Sequence, residues 1–382
     1  MLTPSIVVGS ERLSVIAATT TLATLSGVTP RGTDWGLAVL VAALAGTGVL
    51  TIFAGSAGWG WIFVAHAIGG FALAGVLAWK LRRVARRLAH PRSWDRRTRL
   101  GVLSLALVLG ALGSGWAWSS GIGTQLYLAG YNLLNWHYIL GAALSVFVIG
   151  HAAVRAKRPR RADLADRRQF LRVAAISGGA YAAWWVQRPL SSALGLEGER
   201  RRFTGSYETS SLTGNDFPET SWVADDPREL AGPRWRMTVS GAVARPLSLR
   251  ASELDAGDEL EAVLDCTGGF WTRQRWRGIR LEALLERAGP GAGATHVRVI
   301  SHTGYRWSFT LEDARGLLLS THVGDEALSH GHGAPVRLVA PGRRGFEWVK
   351  WVERIELHEG PDAGALPSTV WSSFTRAGSG EA

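Results

Sequence analysis

The chain has 382 residues, of which 47% are hydrophobic and 19% are charged, and its formal net charge is +11. This length leaves room for two or three domains, and the single cysteine excludes an internal disulfide and a zinc or iron–sulfur cluster held by cysteines. The excess charge lies in two loops: Lys80 to Arg99 has nine basic residues and one acid, and Arg155 to Arg168 has seven basic residues and two acids. Arginine in alternate short loops is typical of a membrane protein, so we expect membrane lipid as a partner and no nucleic acid.

The N-terminal half contains six apolar segments, at about 13–28, 35–54, 59–79, 100–118, 135–154 and 170–187. Each can cross about 30 Å of hydrocarbon as a helix, although the first is short and has a signal peptide as its alternative interpretation. The arginine-rich loops belong in the cytoplasm, so the uncharged connections 55–58 and 119–134 belong outside. The pattern predicts an all-α transmembrane helix bundle of about six spans, with the N-terminus and the C-terminal half outside the cytoplasm.

Four histidines lie in or beside these segments: His66, His90, His137 and His151. Ionisable side chains at membrane depth are costly, so each is a candidate for function. His137 and His151 are 14 residues apart, which places them on nearly the same face of one helix and about 21 Å apart along its axis. This spacing predicts one imidazole near each membrane surface.

The surroundings of these histidines, over about residues 55–155, resemble cytochrome b-type subunits of bacterial oxidoreductases. The resemblance implies one or two haem b groups, each held by two imidazoles from facing helices. His66 and His137 can supply the outer pair, while His151 needs an inner partner, for which His90 is the remaining histidine of this half. The alternative is that the histidines form hydrogen bonds within the bundle or cap its helices.

A twin-arginine segment, Asp166-Arg167-Arg168-Gln169-Phe170-Leu171-Arg172, precedes the last apolar stretch. It matches the signal of the Tat exporter, which carries folded proteins across the bacterial membrane. Export in a folded state suits a domain that receives its cofactor in the cytoplasm. The alternative is an ordinary basic boundary before one more membrane helix.

Cys266 ends a strand-like run and is followed by Thr-Gly-Gly, a turn at which backbone can approach a ligand closely. A soft thiolate there suits a metal, although a lone buried cysteine often only packs. The segment from Glu261 to Leu281, with Trp-x-Gly-x-x-Leu after the cysteine, resembles the sulfite oxidase family of molybdenum enzymes. The resemblance implies that Cys266 is the single protein ligand to molybdenum and the catalytic centre.

A second segment, His330 to Ile355, resembles the same family's Gly-x-Pro-x-Arg … Pro-Gly … Gly … Lys-Trp pattern, so the resemblance covers about 230–360. It implies a molybdopterin cofactor, whose phosphate needs cationic and backbone N–H partners. Arg337 and Lys350 are the first candidates for these contacts. The further candidates for cofactor binding are Gly342, Arg343, Arg344, Gly345, His330 and His332. His302, like His330 and His332, is a candidate for facing the pterin or the substrate. The candidates for attracting an anionic substrate are Arg273, Arg275 and Arg306, and solvated surface side chains are the alternative.

The chain ends about 25 residues after Ile355, which leaves no room for the β-sandwich dimerisation domain of sulfite oxidases. The closer resemblance is therefore to bacterial protein-methionine-sulfoxide reductase catalytic subunits. Those subunits are exported by Tat and work with a separate haem-containing membrane subunit. We expect this chain to combine both parts in a self-contained monomer.

The sequence thus predicts a multidomain protein of the bacterial cell membrane. Its parts are a cytochrome b-like transmembrane domain at 1–160, a Tat-type signal with the last transmembrane helix at 161–190, a linker at 191–230 and an α+β molybdopterin-binding oxidoreductase domain at 231–382. The predicted reaction passes electrons between membrane quinone, haem b and an extracytoplasmic molybdenum centre, and reduces an S-oxide or similar small molecule by oxo transfer. A sulfite-oxidising dehydrogenase, a membrane-anchored binding or relay protein, and a transporter or sensor are the alternatives.

Overall fold

The computed structural model describes residues 30–124, 126–129, 131–155, 167–220, 225, 227–230 and 235–371. The chain divides into two compact units. The helical unit comprises Met1–Thr51 with Trp61–Glu199, and the sheet unit comprises Ile52–Gly60 with Arg200–Ala382. The first predicted apolar segment, 13–28, and most of the loop 155–168 lie outside the described residues.

Five long helices account for most of the N-terminal half. They are α1 (Pro30–Phe53), α2 (Gly60–Leu88), α3 (Arg96–Ser120), α4 (Leu133–Arg155) and α5 (Arg167–Ala193). A short hairpin of β1 (Tyr127–Leu128) and β2 (Tyr131–Asn132) joins α3 to α4. The bounds of α3 have a local cause: the Asp95 carboxylate accepts a hydrogen bond from Thr98 N at 2.7 Å, and Gly121 ends the helix with a φ of 81°.

Four stretches in the described residues are long and apolar enough to cross a membrane: Gly32–Phe53, Ala57–Leu88, Thr98–Ser120 and Leu133–Gly150. They correspond to the second to fifth predicted segments. The predicted sixth segment, 170–187, does form a helix, α5, but it is not among these four stretches. It carries Arg172, Gln187 and Arg188 within its length, and these polar side chains reduce its apolar character.

Leucines and valines form the core of the helical unit. Val41, Leu73, Leu77, Val108 and Leu144, which come from α1 to α4, pack together and are almost fully buried. The opposite helix faces expose large apolar side chains, of which Val146 is 76% exposed. A helix that is apolar all round is typical of a membrane span, because lipid replaces water on its outer face.

Two mixed sheets form the sheet unit. The first contains β3 (Tyr207–Glu208), β6 (Asp258–Asp265), β7 (Phe270–Arg280), β10 (Leu318–Val323), β11 (Glu326–Ala327) and β12 (Arg337–Val339). The second, in spatial order β5-β4-β13-β8-β9, contains β4 (Met237–Gly241), β5 (Leu247–Leu249), β8 (His296–Ser301), β9 (Arg306–Thr310) and β13 (Val352–His358). The short helices are α6 (Leu281–Ala288), α7 (Leu311–Arg315) and α8 (Ala365–Trp371).

This mixture of strands and short helices confirms the predicted strand-and-helix domain. The helical apolar pattern at 281–288 corresponds to α6, and the strand-like patterns at 297–301 and 305–309 correspond to β8 and β9. Apolar side chains of both sheets, including Trp276 and Ile355, are completely buried between them. Their burial provides the rigid support on which the turn at Cys266 is held.

The hairpin of β6 and β7 positions Cys266. The two strands pair antiparallel from Asp258 opposite Gly278 to Asp265 opposite Trp271. Cys266 N then donates to Phe270 O at 2.9 Å and closes the turn, and Gly269 adopts a φ of 99° that favours glycine. The cysteine therefore lies at the tip of a long, well-paired hairpin.

The segment 200–220, which the sequence predicts as part of a linker, belongs to the sheet unit in the structure. Strand β3 pairs in parallel with the start of β7, and Phe217 is 3% exposed, with its ring centre 6.0 Å from that of Trp276. The polar composition of this segment conceals these contacts, because a single apolar side chain and a few hydroxyl groups make them.

Candidate active site

Cys266 opens into a cleft inside the sheet unit, with a cavity volume of about 40 Å³. The cleft is lined by Phe217, Pro218, Thr220, Leu264, Cys266, His332, Arg337, Gly345, Trp348 and Lys350. The Cys266 sulfur accepts a hydrogen bond from Gly268 N at 3.2 Å and lies 3.6 Å from Thr220 Oγ1. A Cβ atom on Gly345 would come within 3.0 Å of Cys266 Cα, so glycine is required for this close approach.

Arg337 is the buried cation of the cleft. Its side chain is 2% exposed, and its guanidinium carbon lies 5.1 Å from the ring centre of Trp276 and 5.8 Å from that of Trp348. Nη1 donates to His332 O at 3.1 Å, but Nε is buried and has no hydrogen-bond partner among the described residues. Burial lowers the pKa of Arg337 to about 10, so the group stays charged at neutral pH. A buried charge in this state calls for an anionic partner.

Lys350 adds a second cation to the cleft. Its ammonium group donates to Thr220 O at 2.6 Å and to Gly331 O. Burial, and then the charge of Arg337, lower the pKa of Lys350 to about 7. This ammonium therefore gains and loses a proton close to neutral pH.

His332 is present as a neutral wall of the cleft. Its Nε2–H donates to Phe217 O at 3.0 Å, and Nδ1 accepts from Ser329 Oγ at 2.8 Å, so both ring nitrogens are in use. Burial, followed by the charges of Arg337 and Lys350, lowers the pKa of His332 to about 4. The ring packs on Phe217 with 3.9 Å between ring centres.

Arg344 lies behind Cys266 rather than in the cleft. Its Nη1 bonds the Asp265 carboxylate at 2.6 Å, and both side chains are almost fully buried. Asp265 also accepts hydrogen bonds from Arg202 Nε at 3.0 Å, Thr204 Oγ1 at 2.9 Å and Ser206 Oγ at 2.8 Å. This network fixes the backbone beside the cysteine. The sequence identified Arg344 but not Asp265 or its partners, because their polar types are common and lie 60 residues apart.

Other predicted residues lie outside the lining of the cleft. Arg343 is 40% exposed and bonds Asp313 at 2.8 Å, Gly342 is in a turn with a φ of 76°, and His330 donates through Nε2 to Pro227 O at 2.7 Å. His302 and the three arginines proposed to attract an anionic substrate all face carboxylates instead. The pairs are Arg273 with Glu261, Arg275 with Asp325, Arg306 with Asp362 and His302 with Glu353.

The helical unit brings His66 and His137 together. Their ring centres are 5.9 Å apart and the ring planes are nearly perpendicular, at 85°. His137 Nδ1 donates to Ala111 O at 2.8 Å. His66 Nδ1 lies 2.9 Å from Thr47 Oγ1, whose own hydrogen goes to Ala43 O, so this nitrogen is also the donor. Both Nε2 atoms therefore carry a free electron pair, the arrangement found in metal-bound imidazoles.

The separation of these two rings also suits one shared metal. Metal–imidazole bonds are about 2 Å long, so rings that hold an ion from opposite sides have centres roughly 6 Å apart. Gly115 allows this placement, since a Cβ there would lie 2.7 Å from His137 Nδ1. The sequence did not single out Gly115, because it lies on a different helix from either histidine.

The two remaining histidines are placed differently. His90 follows the end of α2, is exposed, and donates through Nδ1 to Arg86 O at 2.8 Å. His151 lies in the last two turns of α4, and its side chain is outside the described atoms. In the part of the chain that the structure describes, no cluster of three or more His, Cys, Asp or Glu side chains can hold a metal.

Residues 224–366 match the oxidoreductase molybdopterin binding domain. The sheet unit carries a molybdopterin domain of the sulfite oxidase family. The protein is therefore an oxidoreductase, and the family predicted from the Cys266 and Arg337 segments is confirmed. The residues of the cleft fit this cofactor, because a soft thiol, the partnerless Nε of buried Arg337 and Lys350 together suit an anionic ligand that carries a soft metal.

Similar proteins extend this match. The protein-methionine-sulfoxide reductase catalytic subunit MsrP of Gluconobacter oxydans is 26% identical over 253 residues, which cover 58% of this chain and 78% of that protein. A nitrate reductase [NAD(P)H] of Hordeum vulgare is 30% identical over 157 residues, which cover 32% of this chain and only 18% of the reductase. The crystal structure of the sulfane dehydrogenase SoxCD from Paracoccus pantotrophus matches with a TM-score of 0.34 and 25% identity, over 35% of this chain and 40% of that chain.

Proposed function

We propose that this protein is a membrane-bound molybdenum oxidoreductase that reduces an S-oxide, or a similar oxygenated small molecule, with electrons from membrane quinol. The observation that carries the proposal is the Cys266 sulfur in a cleft beside a buried Arg337 whose Nε has no partner among the described residues. The S-oxide substrate is supported by the name of the Gluconobacter relative. The net reaction balances: one S-oxide and one quinol give one sulfide, one quinone and one water.

Each residue of the cleft has a defined task in this proposal. When bound, the molybdenum centre supplies oxygen-atom transfer. Cys266 holds the metal, and Arg337 and Lys350 bind the anionic groups of the pterin. Arg344 and Asp265 keep the cysteine turn in place, and neutral His332 keeps one wall of the cleft free of charge.

The helical unit receives the electrons in this proposal. His66 and His137 hold a haem b between α2 and α4, supported by their ring geometry and by the Nδ1 hydrogen bonds that leave both Nε2 atoms as ligands. His151 is proposed as a ligand of a second haem. The four apolar stretches, together with α5 and the segment 13–28, would complete six spans and place the molybdopterin domain outside the cytoplasm. The chain would then act as a monomer.

Metal analysis and an optical spectrum of the full chain in detergent test the proposal. We expect one molybdenum per chain and reducible b-type haem bands, with reduction of methionine sulfoxide by reduced methyl viologen. Cys266→Ser should remove molybdenum and dye-driven turnover while the haem bands stay. Arg343→Gln is the matched control, because Arg343 lies outside the cleft and should leave both cofactors in place.

Two results would refute parts of this assignment. Full dye-driven activity in Cys266→Ser would refute the molybdenum site. Oxidation of sulfite with no reduction of any S-oxide would refute the proposed direction and leave the metal site intact.

A further inference from the structure

The helical unit contains a second cavity, of about 370 Å³, which is larger than the cleft at Cys266. It lies between one face each of α1, α2 and α5. Its lining comprises Gly32, Thr33, Gly36, Phe71, Gly75, Val76, Trp79, Arg172, Val173, Ala175, Ile176, Gly179, Ala180 and Ala183. The set contains two aromatic rings and no carboxylate, so the walls are apolar and carry no negative charge.

Glycines from all three helices line this cavity and keep it open. A Cβ atom built on Gly36, Gly75 or Gly179 would meet nothing within 4 Å. On α2, the lining residues Phe71, Gly75 and Trp79 follow one another at intervals of four residues and share one helix face. The cavity is therefore open because glycines occupy these positions on the helix faces, and larger side chains at the same positions would fill it without a clash.

The cavity presents one hydrogen-bond donor to its contents. Trp79 Nε1 is buried and has no hydrogen-bond partner among the described residues, and an indole can only donate. A buried donor without an acceptor is unfavourable, so the cavity calls for a ligand that brings an oxygen acceptor on an apolar body.

We infer that this cavity binds the head group of a membrane quinone, with a quinone oxygen accepting a hydrogen bond from Trp79 Nε1. The inference rests on the proposed function, which requires a lipid-soluble two-electron donor in the helical unit. Quinone and quinol both carry oxygen acceptors on a flat ring, which suits a slot between Phe71, Trp79 and the glycine faces. On oxidation the quinol releases two electrons and two protons, the amounts that reduction of one S-oxide consumes.

The position of the cavity along α2 supports this ligand. Phe71 is five residues after His66 and Trp79 is thirteen residues after it, which is about 7.5 Å and about 19.5 Å along the helix axis. The cavity thus begins close to the level of the proposed haem ligand His66 and extends away from it to the proposed hydrogen-bond donor Trp79. A water-soluble ligand would have no route through the apolar faces, whereas a lipid-soluble one reaches them from the bilayer.

Photo-labelling of the full chain in detergent, with an azido-ubiquinone and with decylubiquinone as competitor, tests binding without turnover. Gly179→Leu should fill the cavity and abolish labelling of the helical unit together with decylubiquinol-driven reduction of methionine sulfoxide. Gly178→Leu is the matched control: it is the adjacent residue, a Cβ there also meets nothing within 4 Å, and Gly178 does not line the cavity. It should keep both signals, and both variants should keep methyl viologen-driven activity.

Trp79→Phe tests the hydrogen bond itself, because it keeps an aromatic ring and removes the N–H. We expect the KM for decylubiquinol to rise about tenfold, as for loss of one hydrogen bond, with dye-driven activity unchanged. Arg172 is left unchanged because it belongs to the twin-arginine segment, and its substitution could alter export.

The results separate this inference from the proposed function. Equal labelling in Gly179→Leu and Gly178→Leu, or loss of labelling in both, would overturn the quinone site even if dye-driven reduction works. Cross-linked phospholipid in place of quinone would also overturn it. Competitive labelling that only Gly179→Leu removes would support the site even if no S-oxide is reduced.

Discussion

Asp265→Asn is the substitution whose effect the structure defines most closely. Asp265 is 2% exposed and its carboxylate accepts hydrogen bonds from Arg344, Arg202, Thr204 and Ser206. Arg344 is itself only 3% exposed, so neutralising Asp265 leaves a buried cation without its counter-ion. Removing one partner of a buried ion pair costs about 3–5 kcal/mol. We expect the free energy of local unfolding of the Cys266 hairpin to fall by that amount.

The matched control is Glu261→Gln on the same strand. Glu261 pairs with Arg273 at 3.7 Å, but both side chains are more than half exposed. Exposed ion pairs contribute only about 0–1 kcal/mol, because water screens them. This control removes the same charge from strand β6 and leaves the buried network intact.

Hydrogen exchange of the backbone amides in the β6–β7 hairpin, measured on the full chain, reports this local free energy directly. We expect exchange between Asp258 and Arg280 to speed up strongly in Asp265→Asn and to stay near the wild-type rate in Glu261→Gln. Equal rates in the two variants would show that the network does not stabilise the hairpin. Faster exchange throughout the sheet unit would assign Asp265 to global stability rather than to the cysteine turn.

Three further predictions concern the two sites. Arg337→Met should remove molybdenum, and it should raise the melting temperature of the cofactor-free protein. The reason is that methionine replaces a buried cation that has no carboxylate partner in the described structure. An unchanged molybdenum content would contradict this prediction. The folded-state pKa of His332, about 4, lies below its unfolded value of about 6.5, so unfolding takes up a proton and stability should fall by up to about 3 kcal/mol between pH 6.5 and 4. His332→Gln should remove that part of the pH dependence of the melting temperature. Gly115→Val should displace His137 and reduce the haem bands while dye-driven activity at molybdenum persists, and full haem content would reject the assignment.

The residue types that can hold a soft metal or a haem are few, so the candidate residues were identifiable from the sequence. The chain has one cysteine, Cys266, which lines the cleft, and the predicted pair of His66 and His137 has ring centres 5.9 Å apart. The strands and helix around Cys266 were also predictable from alternating and helical apolar patterns. The apolar spans were identified by the same means, since long apolar runs have few alternative explanations.

The supporting residues were not predictable, because many residue types can fill such roles. The polar composition of segment 200–220 predicted a linker. In the structure, however, the hydroxyl groups of Ser206 and Thr204 donate hydrogen bonds to the buried carboxylate of Asp265. Arg344 and Arg337 lie seven residues apart and carry the same side chain, but the first points to Asp265 and the second into the cleft. Only the pairing of distant strands decides which arginine meets a carboxylate, and that pairing is a tertiary property.

Arg337 and Arg344 differ in their counter-ions. Arg344 pairs with a carboxylate of its own domain, whereas Arg337 has no carboxylate partner among the described residues and is available for a ligand. Arg344 has the Asp265 carboxylate as its counter-ion within the domain, although its Nε, like that of Arg337, is buried without a hydrogen-bond partner among the described residues. Arg337 contacts aromatic rings and one backbone carbonyl but no carboxylate in the described residues. The free-energy cost of burying its charge is therefore offset only when an anion enters the cleft. Binding of the cofactor would then stabilise the folded state by linkage.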